Sequence, residues 1–474
     1  MADSLLIQTL KQLPSKDLRL LRDFAQSPCF NRRPEVMRLC DYLVEHVGKA
    51  DRKAFESERM FAAALPDQPY DNRALRHIMS YLLDLVRQYL AWAEWQSEEG
   101  EQQRYLVRAL HRRNLDHLFE KEWQRANAAA EAAETRDARH HFRQYQLHQE
   151  YLERTARHER SARINLQPLP DELTVFYVAE MLRHACSALS HQAIAGQEYR
   201  FSLLENILEA AEREQLLNIP AIAVYYHAYK MLQSNGAPEH FERLKALLAE
   251  QENAFSSEEM RGLYLLAING CIRRMNTGQR EYIREAFELY RAALERDFLK
   301  ENGVMSGFTY KNIIRIGAAL GEHTWAEEFL EQYKTQIHPR ERDNLYRYNL
   351  AYLYFQQQDY ARAMPLLQQV ELEDPLNNLD ARRMLLRSYF ELGEWQALES
   401  LLQSFSAYLR RQKNLGYHRQ SNEKLLFFVK KLIATGKRDL KTRAAIRAEL
   451  ESTPDVAERA WLLQQFGFNV IRRH

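Results

Sequence analysis

Apolar side chains recur along this chain at spacings of three and four, which is the period of a helix with one buried face. Behind Asp71, a residue suited to capping, Leu75, Ile78, Leu82, Leu85 and Leu90 form one stripe. Pro34 fits the first turn of a helix that continues through Val36, Leu39, Leu43 and Val47. Before it, Ser4 is placed to cap a short helix, and Pro14-Ser15 restarts the chain into Leu18, Leu20, Leu21 and Phe24. The phrase Ser27-Pro-Cys-Phe-Asn31 interrupts this pattern, because the residue before a proline avoids helical geometry. Residues 104–158 read as long charged helices with narrow buried stripes, ended by Pro168 and Pro170. Six further helices are predicted over 171–194, 199–217, 220–233, 238–252, 257–275 and 280–299, joined by short turns that favour antiparallel neighbours.

From there an aromatic returns every 35 residues: Trp325, Tyr360 and Trp395. A fixed period of this size marks stacked helical hairpins, each unable to bury its apolar face alone. The best copy spans 344–377. It holds Ala351, Tyr354, Ala363 and Pro375 in one register, with Asp359-Tyr360 at its turn. In these positions the sequence resembles the tetratricopeptide repeat (TPR), a helix–turn–helix unit. The resemblance implies small residues where paired helices approach, and Pro375 closing the second helix. The next unit, 379–412, keeps Tyr389, Gly393 and Trp395 but has Leu386 and Leu398 where small residues belong, so wider helix spacing is predicted there. The preceding unit, 309–343, keeps Trp325-Ala326 and has Ile316 in place of the small residue. The whole chain is similar to uncharacterised bacterial proteins that join a helical N-terminal unit to TPR-like C-terminal hairpins, a likeness that implies architecture and no activity.

The predicted fold is all-α: an α-solenoid of stacked antiparallel helical hairpins. Its parts are an N-terminal helical domain (1–97), an irregular hairpin region (98–300), and TPR-like repeats with a basic helical cap (301–474). Composition agrees: 15 Gly and 13 Pro are too few for the frequent tight turns of an all-β protein, and essentially no sheet is predicted. No run approaches the ~18 apolar residues of a membrane-spanning helix. The N-terminus lacks a signal-peptide pattern, and the four scattered cysteines read as free thiols, so a cytoplasmic location without membrane contact is expected.

Nucleotide-binding glycine loops, zinc-protease and serine-nucleophile motifs are absent, and no histidine has a glutamate three residues before it. No enzyme, cofactor or metal is predicted. His111, His117, His140, His141, His148 and His158 read as solvated positions, and Cys186 as a core thiol. The TPR resemblance turns the first helix of each hairpin to the concave side. It places Tyr348, Asn349, Tyr352 and Phe355 there in the central unit, with Asp380, Arg383 and Arg387 in the next. Flat rings beside guanidinium groups suit an extended acidic or aromatic peptide, so an unidentified protein partner is predicted. The carboxylate clamp of some TPR proteins is not carried over, because Ile313 and Gly317 stand at its positions on the preceding helix. The alternative, that the chain's own C-terminal helices fill the groove, stays open.

Charge supplies a second reading. Residues 408–474 carry 15 basic and 6 acidic side chains in a protein of formal net charge +1. Arg410, Arg411, Lys413, Lys430, Lys431, Lys437 and Arg438 could attract phosphate, so nucleic acid is the alternative partner. The structural alternative is a solvated cap, paired in part with the acidic stretch 198–259.

Overall fold

The computed structural model describes residues 4–49, 52–158, 165–195, 197–233, 237–372, 374–412, 415–435 and 439–467. It is all-α, with 23 α-helices, and the chain divides into two compact units, Met1–Tyr177 and Val178–His474. No described helix is long and apolar enough to cross a membrane.

In the first unit, α1 (Leu5–Gln12), α2 (Ser15–Gln26), α3 (Pro34–Val47), α4 (Ser57–Ala64) and α5 (Asn72–Ser97) share one core running from Leu6 to Tyr89. The start signals act as expected at two helices: Pro34 opens α3, and the Asp71 carboxylate accepts from the Arg73 N–H at 2.8 Å to cap α5. Ser4 stands at the N-cap of α1, but its hydroxyl makes no capping bond. The break after α2 is held by Asn31, whose amide donates to the Ala25 carbonyl at 2.9 Å. Next come α6 (Glu99–Arg112), α7 (Asp116–Ala132) and α8 (Ala138–His158), which close on Val107, Phe119 and Leu147. Here one expectation fails: His111 and His140 are buried, beside buried Asp137 and Gln144. Helices with narrow apolar stripes bury part of their polar flanks when three pack together, and this turned those histidines inward. Burial, then His141 and Arg136, pulls His140 down to about 4. Among the described residues no group of three or more His, Cys, Asp or Glu is arranged to hold a metal ion.

Pro168 and Pro170 mark the end of the preceding section by opening the next helix. They lie in the first turn of α9 (Pro168–Ala195), where a missing N–H removes no helical bond. Cys186 of α9 is a buried thiol, raised by burial.

The second unit continues with α10 (Leu204–Arg213), α11 (Pro220–Leu232), α12 (Pro238–Glu250), α13 (Ser257–Asn276) and α14 (Tyr282–Glu295). Then follow α15 (Gly307–Ala319), α16 (His323–Tyr333), α17 (Arg342–Gln356), α18 (Tyr360–Gln368), α19 (Pro375–Leu392) and α20 (Trp395–Arg411). The last three are α21 (Tyr417–Ala434), α22 (Leu440–Ser452) and α23 (Arg459–Phe466). From α11 to α21 each helix packs on its neighbours in sequence, while α15, α17 and α19 also pack on one another in a row. That is solenoid-like stacking, with the first helices of three hairpins forming one face. The exception to helix is a hairpin, β1 (Lys300–Glu301) with β2 (Val304–Met305). Its loop is Asn302-Gly303, both at positive φ (51° and 77°), the turn that an Asn-Gly pair favours between strands.

Small residues act where the repeat requires them. Ala351 and Ala363 are fully buried in the hairpin of α17 and α18, and Leu386 and Leu398 are fully buried in that of α19 and α20. Pro375 opens α19 and does not close α18, which already ends at Gln368. The Asp374 carboxylate caps α19 by accepting from the Asn377 N–H at 2.7 Å.

Candidate partner-binding face

The 35-residue spacing of aromatics is not the structural repeat of the first hairpin. Each hairpin turn closes with an N–H reaching back to a carbonyl five residues earlier: Glu322 to Gly317 at 2.9 Å, Asp359 to Tyr354 at 2.8 Å and Glu394 to Tyr389 at 2.9 Å. Tyr360 and Trp395 are therefore the first residues of α18 and α20, whereas Trp325 lies two positions inside α16. Trp325 packs against Gly317, which occupies the position of Tyr354 and Tyr389 in the later hairpins. Aligned by their turns, the first helices place Lys311, Tyr348 and Arg383 in one row, and Arg315, Tyr352 and Arg387 in the next. Each row reads cation, tyrosine, cation. The expectation that Ile313 and Gly317 stand at the ligand-facing positions of α15 is thereby corrected to Lys311 and Arg315.

The rows are tied together by one carboxylate. Asp380 accepts from Arg315, from the Tyr348 hydroxyl at 2.7 Å and from Arg383 at 2.6 Å. Arg315 also donates to the Tyr348 oxygen at 2.7 Å and lies 4.8 Å from the centre of the Tyr352 ring. Burial opposes the charge on Asp380, but Arg315 and Arg383 outweigh it and hold the carboxyl below its ordinary range. Lys311 donates to the Asn377 side chain at 2.8 Å. Burial, and then Arg315 beside it, lower its ammonium from the usual lysine value. The Nε atoms of Arg315, Arg383 and Arg387 are buried and find no acceptor among the described residues.

The six residues expected to touch a partner are therefore unequal. Tyr348 and Asn349 are fully buried: Tyr348 orients Asp380 and Arg315, and the Asn349 amide donates to the Leu345 carbonyl within α17. Phe355 is also buried and supports Arg387, whose guanidinium lies 4.7 Å from its ring. Tyr352, Arg383 and Arg387 keep partial exposure. Lys311, Arg315 and the exposed Phe308 complete the face. These three escaped sequence reasoning because the two-residue shift of α15 is visible only from its turn.

At one end the face is covered by the chain itself. Arg387 donates to Glu458 at 2.8 Å, and its guanidinium lies 5.5 Å from the ring of Trp461 on α23. The indole N–H donates to Glu391 at 2.8 Å. The open alternative of self-occupation thus holds for the Arg387 end of the face.

Among the described residues, the basic segment forms no comparable cluster. Arg410, Arg411 and Lys430 are exposed, Lys431 pairs with Glu449 at 2.5 Å, and Lys413, Lys437 and Arg438 lie outside the described residues. Nearby, Lys424 donates to the Pro454 carbonyl at 2.7 Å, and Arg447 pairs with Glu451 at 3.0 Å. Among the described residues no ion pair joins this segment to the acidic stretch 198–259.

The fold and the face define a helical-repeat-like, all-α protein. No protein-family model matches the chain, and no curated protein matches it.

Proposed function

We propose that this chain is a non-enzymatic scaffold of the TPR type, which captures a segment of a partner protein on the concave face formed by α15, α17 and α19. One observation carries this reading: Lys311, Arg315, Arg383, Arg387 and the half-buried Tyr352 share one face, held in register by Asp380 and the buried Tyr348 beneath them. Such a face supplies cationic donors beside a flat ring.

The test is a photo-crosslinking amino acid at Phe308 or Leu376, exposed positions beside Lys311 and Asn377, in cells of the native host. A protein cross-linked from both sites, and not from Gln396 on the second helix α20, is the expected result. Equal labelling from all three sites would remove the reading.

A further inference from the structure

The contact between α23 and Arg387 shows what chemistry this face accepts. Glu458, at left-handed φ (53°), stands at the N-cap of α23, and Trp461 lies in the first turn of that helix, three residues on. The carboxylate takes the Arg387 N–H at 2.8 Å, and the guanidinium lies 4.7 Å from the centre of the Phe355 ring and 5.5 Å from that of Trp461. Trp461 then meets Phe390 edge-on at 5.3 Å and gives its N–H to Glu391. A charge-assisted bond, two rings near the cation and a satisfied indole make up the arrangement.

One helical turn earlier the same parts stand without that ligand. Arg383 precedes Arg387 by four residues on α19, and Tyr352 precedes Phe355 by three on α17. Arg315 lies over Tyr352 as Arg387 lies over Phe355, at 4.8 and 4.7 Å. The charges there do not balance. Lys311, Arg315 and Arg383 face Asp380 and the α19-capping Asp374, leaving one positive charge uncompensated. Burial, and then the Arg315 charge beside it, lower the Lys311 ammonium from its ordinary value.

We infer that this turn binds the start of a helix in a partner protein, with a carboxylate at its N-cap and an aromatic ring three residues on, seated beside α23 as Glu458 and Trp461 are. The inference rests on the reading of this face as a protein-binding surface and adds the partner's chemistry. It also replaces the extended peptide expected from sequence with a helix N-terminus, because the built-in ligand pairs the cap residue of α23 with a residue of its first turn. One carboxylate brings the local charge to zero, and the ring covers Tyr352 and its guanidinium.

The probe is a short, stapled helical peptide whose Glu-x-x-Trp places Glu at the N-cap and Trp in the first turn, labelled with fluorescein and titrated with the full chain. Replacing its Glu by Gln, or its Trp by Ala, is expected to weaken binding about tenfold each. Lys311→Gln and Arg383→Gln in the protein should each do the same with an unchanged melting temperature, while Lys430→Gln leaves affinity as it was. Lys311→Gln keeps the test sound if Arg383→Gln perturbs folding. Equal binding of the Glu and Gln peptides overturns the inference, as does a single-stranded oligonucleotide that binds these positions as tightly as the Glu-x-x-Trp peptide. If cross-links from Phe308 and Leu376 trap a protein segment without an acidic–aromatic pair, the inference fails and the protein-binding reading stands. If those sites trap no protein, the reading itself fails.

Discussion

Arg315 of α15 and Asp380 of α19 are 65 residues apart in sequence and meet across the hydroxyl of Tyr348. One carboxylate therefore fastens the first helices of three successive hairpins. Removing it leaves two guanidinium groups and a phenol in a largely desolvated seam.

Asp380→Ala is expected to cost about 2 kcal/mol in chemical denaturation of the full chain. The figure lies below that for a fully buried pair because about a third of the Arg315 side chain, 34%, remains exposed. The pH dependence has a definite sign. The carboxyl is held below its ordinary range, so its contribution is complete above the unfolded carboxylate value and lost as pH falls through the folded one. Asp380→Asn should flatten that acid limb relative to wild type; parallel limbs would show that Asp380 does not clamp the hairpins.

The full burial of Ala363 makes Ala363→Leu an overpacking change, with an expected loss of ~1–3 kcal/mol. In the next hairpin the opposite change, large to small, is the costly one. Leu386→Ala opens a void there and should lose ~2–5 kcal/mol. Gly317→Ala has room, since the added carbon meets Ala326 and Trp325 at 3.4–3.6 Å, and a gain of up to ~1 kcal/mol is expected from helix propensity. Urea midpoints of the three variants decide whether small residues set the spacing.

A pair of histidines gives the second unit an acid-sensitive joint. The Nδ1 atoms of His227 on α11 and His240 on α12 lie 3.0 Å apart, so one ring must donate to the other as a neutral acceptor. Burial first, then His240 and Arg243, pull His227 down to about 4. The unfolded chain binds this proton near the ordinary histidine value of about 6.5. Stability from this joint is therefore present above that value and drains away as pH falls towards 4. His227→Gln should remove part of the slope of stability against pH in this window; an unchanged slope would sink the account.

At the end of the face, Trp461→Ala is expected to cost ~3–5 kcal/mol, because Trp461 is part of the core shared by α19 to α23 and also covers Arg387. Glu458→Gln keeps the shape and loses only the charge, for which less than ~1 kcal/mol is expected. Comparable losses from both would mean that the carboxylate, and not the packed ring, holds α23 on the face.

With Lys424, Lys431 and Arg447 engaged by the chain itself, the full chain is expected to leave a duplex DNA fragment unshifted in a low-salt gel. A shift that weakens about tenfold or more with added salt would restore nucleic acid as the partner.

Much of this architecture was legible from local signals. Helical periodicity, caps such as Asp71 and openers such as Pro34 are decided by groups within a turn of one another, so the sequence alone determined an all-α chain of short-linked helices. Ala351 and Ala363, small residues one hairpin turn apart, announced buried positions in α17 and α18 for the same reason. The face was only half visible. Tyr352, Arg383 and Arg387 follow from register, but Tyr348 and Asn349 turned inward, and Lys311 and Arg315 were hidden by the aromatic at Trp325, which keeps the 35-residue interval while its helix begins two residues before it. Which side chains converge depends on where each helix ends and how its neighbour rotates against it. Packing of residues far apart in sequence decides both, and so only the tertiary structure brought Arg315 to Asp380 and Trp461 to Arg387.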